Sequence, residues 1–393
     1  MSNCFLVLED GDVFKGVSFG APAPRAAELV GGGAAGGGEL IFNTAMSGYH
    51  EMLTDPSYAG QIVVLTSPHA GNYGCDDAWS ERGPDDPGLA EIKLRGLVVR
   101  SCFSGLVPRG RISLDAFLKK HGIPGLADVD TRSLTIRLRE KGSCNSFIVA
   151  PSAGDALSVE DIRSVASSFR RLPSMEGANL LASVGTRTAL PASFGNHPRF
   201  TVVDCGVKGN ILRELGARGA AVTVLPWTAS SEDVLSTTPD GVLFSNGPGD
   251  PAALASVVTT IRNLIGVVPV FGICLGHQMI ALALGGRTRK MKFGHHGCNH
   301  PVRDERTGKV QVTSQNHGFE VDEQSLPPDV TVWFRNANDG SVEGLMHGRL
   351  PVMSCQFHPE AAPGPRDSSW IFDEFVKIAS ERKEGSLCQL ERI

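Results

Sequence analysis

The 393-residue chain lacks several features that would each point to a function. No uninterrupted apolar stretch approaches the roughly 20 residues needed to span a bilayer, and "MSNCFLVLEDGD" has no basic segment followed by a long apolar one. A membrane partner is therefore not expected, and a cytosolic location is. There is no excess of positive charge: the net charge is −5 and 20% of residues are charged, which gives no electrostatic reason to expect nucleic acid. The nine cysteines, at 4, 75, 102, 144, 205, 274, 298, 355 and 388, are odd in number and have no paired spacing. They suit free thiols in a reducing compartment better than a disulfide framework. No Walker-type GxxxxGK[ST] phosphate loop and no internal repeat occurs.

The length exceeds what one hydrophobic core usually organises, so two domains are expected. "CFLVLEDGDVFKGVSFG" reads as two strands joined at Asp10-Gly11, and "QIVVLTSP" and "LRGLVVRS" as further strands. "SLDAFLKKHG" and "DTRSLTIRLREKG" read as helices capped by Ser113 and Asp130 and ended by Gly122 and Gly142. Between them and the first hairpin, "VGGGAAGGGEL" from Val30 to Leu40 reads as a mobile insertion. A stretch rich in Pro, Gly, Ser and Thr then marks a linker. The expected division is residues 1–172, a smaller mixed β/α domain; 173–198, the linker; 199–383, an α/β domain; and 384–393, a tail. In the α/β domain, apolar runs such as "RFTVVDCG", "DGVLFSNGPGDP" and "VPVFG" alternate with helical segments. That alternation predicts a doubly wound, mostly parallel sheet with its chemistry at the carboxyl ends of the strands.

"PVFGICLGHQ" places Cys274 between Gly272 and Gly276 where a strand becomes a helix, the cysteine form of the G-x-S-x-G nucleophile elbow. The helix N-terminus beside the sulfur favours thiolate, the attacking species. A buried cysteine is usually a small apolar filler. Strand, paired glycines and helix in this order make Cys274 the exception, whereas the other eight keep that plain reading. "QFHPE" supplies a base, His358, and a carboxylate two residues on, Glu360, which can hold one imidazole nitrogen while the other faces the sulfur. "FSNGPGDP" offers backbone N–H groups at Gly247 and Gly249 for an oxyanion, where a plain turn is the alternative. "GHHGCNH" gathers His295, His296, Cys298 and His300, but in what reads as one flexible glycine-rich loop without a distant second pair, so no metal site is expected.

"SNGPGDP", "PVFGICLGHQ" and "QFHPE", in this order, resemble the triad (class I) glutamine amidotransferases. "FNTAMSGYHEMLTDPSYAGQIVVLTSPHAGNYG", "ADVDTRSLTIRLREKG", "DCGVKGNILRELGARG", "KFGHHGCNHPV" and "TSQNHGFEVD" make the likeness specific to the small, glutamine-hydrolysing subunit or domain of carbamoyl-phosphate synthetase. The resemblance implies that Cys274 attacks the amide of L-glutamine to give a glutamyl thioester, with His358 as acid and base and Glu360 orienting it. It implies oxyanion contacts from Gly249 and Leu275, and glutamine contacts from Ser57, Gly247, Gly249, Leu275, Gln278, Asn316, Gly318 and Phe319. It further implies no cofactor in this chain. ATP, bicarbonate and magnesium would be used by a large synthetase subunit or fused synthetase domain, feeding pyrimidine synthesis, with arginine synthesis the other destination. Three alternatives remain open: another class I amidotransferase, a γ-glutamyl hydrolase, and a regulatory subunit with an idle triad. The leading domain argues against the first, and the intact triad against the last.

Overall fold

The computed structural model describes residues 2–31, 36–84, 92–192 and 194–381. It divides into two compact units, Met1–Ser80 with Glu91–Ala178 and Lys292–His296, and Glu81–Ala90 with Asn179–Met291 and Gly297–Ile393. Among the described residues no helix is long and apolar enough to cross a membrane.

The first unit is built on a closed barrel. Strands Asn3–Leu8 and Val13–Gly20 pair antiparallel around Gly11, whose φ of 94° suits a residue without a Cβ. The barrel continues through Pro124–Ala127, Gly96–Val98, Gln61–Leu65 and Gly37–Asn43, and closes where Cys144–Val149 pairs with Asn3–Leu8. Gly37, Gly38, Glu39 and Leu40 are therefore buried strand residues, which corrects the reading of 30–40 as a mobile insertion. The glycines are there for close approach: a Cβ on Gly37 would lie 2.3 Å from the Phe147 ring, and one on Gly38 2.2 Å from the Gly60 carbonyl oxygen. Residues 32–35 of that run lie outside the described residues.

Helices Leu114–Lys120 and Thr131–Lys141 carry the expected caps, with Ser113 accepting from the Ala116 N–H and Asp130 from the Ser133 N–H. A third helix, Val159–Phe169, was not anticipated. Its start is a capping box between Ser158 and Asp161, a signal present in "SVEDI".

The second unit has a ten-stranded sheet. Its centre is parallel: Ala221–Pro226, Arg199–Asp204, Gly241–Phe244, Val270–Ile273 and Val352–Cys355 lie side by side. Antiparallel strands extend both edges. One of them, Leu190–Ala192, pairs with Ala221–Pro226, so part of the stretch read as a linker is sheet. The other edge continues through Val342–His347, Val330–Asn336, Arg287–Asp304 and Val310–Asp322. Residues 295–300 therefore lie in a strand, and the reading of "GHHGCNH" as a flexible loop is corrected. The proposed tail, 384–393, lies outside the described residues.

Side-chain alternation distributes the core over both faces of the parallel centre. Phe200, Val202, Leu243, Phe271 and Ile273 pack with Ile211, Leu215, Phe372 and Phe375 from helices Gly209–Ala217 and Ile371–Ser380. Val203, Val242, Phe244 and Val270 pack on the opposite face with Val257, Ile261, Met279 and Ile280 from helices Ala255–Leu264 and Leu275–Ala283. Each buried Phe in such a core holds about 3–5 kcal/mol against truncation to Ala. The strand ends are thereby fixed for whatever chemistry they carry.

Candidate active site

Strand Val270–Ile273 runs parallel between Gly241–Phe244 and Val352–Cys355, so three strand ends converge on one edge. At Cys274 the backbone takes φ 56°, ψ −104°, a conformation costly for a residue with a side chain, and the chain enters helix Leu275–Ala283 at once. The surroundings hold this strain in place. The Cys274 N–H donates to the Cys355 carbonyl at 2.8 Å and the Gly276 N–H to the Ser245 carbonyl at 3.1 Å. Both flanking glycines are obligatory for the same reason. A Cβ on Gly272 would sit 2.6 Å from the Gly276 carbonyl carbon, and one on Gly276 2.1 Å from the Phe244 carbonyl oxygen. The sulfur, 2% exposed as part of its residue, occupies the N-cap position of the helix.

His358 follows the neighbouring strand, and its N–H is tied to the Ser314 carbonyl at 2.9 Å. The imidazole Nδ1 lies 2.6 Å from Glu360 Oε1. Nε2 has no partner in hydrogen-bond geometry. Behind Glu360 stands a buried lysine: Lys208 Nζ donates to Glu360 Oε1 at 3.0 Å and also to the Ala361 carbonyl. Asn210 Nδ2 donates to the Glu360 carbonyl. Burial opposes charge on all of these groups, but their order along the chain of contacts reverses the outcome. Burial raises the Glu360 pKa, yet Lys208 first and His358 second outweigh it and hold the carboxyl well below its usual 4.5. Burial lowers the His358 pKa, yet Glu360 first and Cys274 second lift it well above 6.5. Cation, anion, cation and sulfur thus alternate through the site, and the arrangement can keep a proton on an imidazole beside a nucleophile.

On the other side of the sulfur lie polar groups from strand Val310–Asp322 and helix Leu275–Ala283. The Cys274 thiol donates to the Asn316 carbonyl at 3.5 Å. Gln278 Nε2 donates to the Phe319 carbonyl at 2.8 Å. At Gly318 a Cβ would meet nothing within 4 Å. Gly247 lies against the elbow, since a Cβ there would come within 2.9 Å of Leu275 Cδ2 and 2.0 Å of the Cys205 carbonyl oxygen. Gly249 has φ 97°, and Leu275 is the first helical residue, whose N–H falls outside the helical ladder. Leu275 follows Cys274 in the chain, Asn316 contacts its sulfur, Gln278 contacts its carbonyl and Phe319, and Gly247 packs on Leu275, all within one unit. Ser57 belongs to the first unit, in the turn Pro56–Tyr58, where its N–H donates to Asp55 Oδ1 at 2.8 Å.

Four further residues of the second unit were not singled out from sequence. Lys208 and Asn210 grip Glu360. The available sign was a lysine set between Val207 and Gly209 in the short turn between a strand and a helix, where a solvated residue is out of place. Gln356 sits inside "QFHPE", fully buried, with its amide facing the sulfur. Glu81 accepts from the Asn210 N–H at 2.8 Å and pairs with Arg213, and burial, opposed by Lys208 and Arg213, pushes its carboxyl up to about 7. No local pattern marks Glu81.

Residues 6–148 match the family "Carbamoyl-phosphate synthase small chain, CPSase domain", and residues 201–378 match "Glutamine amidotransferase class-I". The chain is similar to the carbamoyl phosphate synthase small chain of Methanopyrus kandleri, 45% identical over 378 residues that cover 96% of this chain and 99% of that one. It is similar to that of Bacillus caldolyticus, 43% identical over 386 residues covering 97% and 98%. It is also similar to the chloroplastic small chain of Arabidopsis thaliana, 43% identical over 399 residues covering 98% and 87%.

Proposed function

The chain belongs to the carbamoyl-phosphate synthase small chain family, and from that premise we propose that it hydrolyses L-glutamine at Cys274 and passes the ammonia to a synthetase large subunit or fused domain. The observation that carries this reading is the strained Cys274 at the strand–helix junction, with the neighbouring parallel strand leading into a buried His358–Glu360–Lys208 chain of contacts.

The reaction then proceeds as two acyl transfers. The Cys274 thiolate attacks the side-chain carbonyl carbon of glutamine, and the oxygen gathers negative charge facing the N–H groups of Leu275 and Gly249. The His358 imidazolium gives its proton to the departing nitrogen as the C–N bond breaks, leaving ammonia and a glutamyl thioester. Water then attacks the thioester with neutral His358 taking a proton, the C–S bond breaks, and glutamate leaves with the thiolate restored. Gln278, Asn316, Gly318, Phe319 and Gly247 supply the glutamine contacts in this scheme. One glutamine and one water give one glutamate and one ammonia.

Ammonia is mostly protonated near neutral pH, and ammonium is no nucleophile, so delivery sheltered from water keeps it reactive. ATP, bicarbonate and magnesium belong to the partner in this reading, and the carbamoyl phosphate the partner makes feeds pyrimidine synthesis, with arginine synthesis the other destination.

The test is glutamate release from glutamine by the chain alone, then with a synthetase large chain, ATP and bicarbonate. We expect stimulation by that partner, and loss of hydrolysis in Cys274→Ser with ammonia-dependent synthesis by the partner retained. Preference for γ-glutamyl peptides over glutamine, or hydrolysis surviving in Cys274→Ser, overturns the reading.

A further inference from the structure

Gln356 is fully buried and lies one residue beyond the strand that pairs with the nucleophile strand. Its backbone N–H donates to the Glu343 carbonyl at 2.8 Å, which fixes the root of the side chain. The orientation of its amide follows by elimination. The Phe319 carbonyl can only accept, so the end of Gln278 that lies 2.8 Å from it must be the NH2 group. That same nitrogen lies 3.0 Å from the Gln356 side chain, which must therefore present its oxygen there. The remaining end, Nε2, is left facing Cys274 Sγ at 3.7 Å. A main-chain carbonyl thus decides, through two amides, that an N–H points at the sulfur.

The sulfur sits between two opposed groups. The Asn316 carbonyl accepts from the thiol and favours the protonated form, whereas an amide N–H favours the thiolate. We propose that Gln356 is a positioning residue for the nucleophile, its carboxamide aimed through Gln278 so that it donates to Cys274 Sγ and offsets the Asn316 carbonyl. The inference rests on Cys274 being the nucleophile of the proposed reaction, and extends it to a residue that does not itself react. It also ties a proposed glutamine contact, Gln278, to the ionisation of the sulfur.

The test is the rate at which iodoacetamide alkylates Cys274 in the full chain, followed by mass spectrometry of the Cys274 peptide, together with kcat and KM for glutamine hydrolysis. Gln356→Met keeps the length of the side chain and removes the N–H. Losing one donor to a charged acceptor is expected to slow alkylation at pH 7 about tenfold and to move the profile of alkylation against pH upward. The value of kcat should fall by a similar factor, with KM changed less than about threefold. Should that variant not fold, Gln356→Asn keeps a buried amide but falls one carbon short of the sulfur, and gives the same direction. Alkylation at the wild-type rate in a folded variant overturns the proposal, and so does a loss confined to KM, which would mean that Gln356 only supports Gln278. The alkylation arm needs no glutamine turnover, so it is judged separately from the glutaminase reading.

Discussion

Two histidines of the second unit are both buried out of solvent and end in opposite states. His277, on helix Leu275–Ala283, has a serine hydroxyl at 2.9 Å from Nδ1 and no partner for Nε2, and burial drives its pKa down to about 3. His358, at the end of the adjoining strand, suffers the same burial, but Glu360 and Cys274 beside it drive the pKa upward. Burial by itself therefore makes a neutral filler. A carboxylate that is itself secured by a lysine makes a proton carrier. The difference between the two rings accordingly begins at Lys208, two contacts away from the His358 imidazole.

The largest expected effect in this contrast is on the charged member. His358→Asn removes the group that protonates the leaving nitrogen in the proposed reaction and should reduce glutamine hydrolysis by about 10⁴-fold, measured as glutamate release. Lys208→Met leaves the Glu360 carboxylate buried with His358 as its remaining charged partner. Breaking a buried pair in this way should destabilise the fold by about 3 kcal/mol in denaturant unfolding, and an unchanged midpoint would break the argument. Glu360→Gln should cost about a hundredfold in kcat, less than loss of Cys274 or His358, because in the proposed reaction Glu360 orients and charges the ring without reacting. The smallest effect belongs to the neutral member. The unfolded state takes up a proton at His277 near pH 6.5 that the folded state refuses until about pH 3, so stability is lost on acidification through that window. His277→Met should remove that dependence, and at mildly acid pH, about one unit below 6.5, its folding equilibrium should differ from the parent's by about tenfold.

How much of this was legible beforehand depended on whether the constraint was local. The elbow could be read because Gly272, Cys274 and Gly276 meet their own steric requirement within five residues, and the close contacts around both glycines give the reason. His358 and Glu360 could be read because both ring and carboxylate lie on one short segment. Lys208 could not: its role needs the end of strand Arg199–Asp204 to meet residues 152 positions later in the chain. Gln356 was hidden for a related reason, since its direction is set by Gln278 and Phe319 on two other elements. Glycine misled twice. At Gly37 and Gly38, and in "GHHGCNH", it was read as slack, but these residues lie in strands, and in the barrel the missing Cβ admits a ring and a carbonyl.

The most direct test of the central claim is the protonation state of the two histidine rings, read by ¹⁵N NMR of histidine-labelled protein between pH 5.5 and 8. The account predicts that His358 carries its proton throughout while His277 stays neutral throughout. A His358 ring that is neutral at pH 7 and titrates near 6.5 would contradict it.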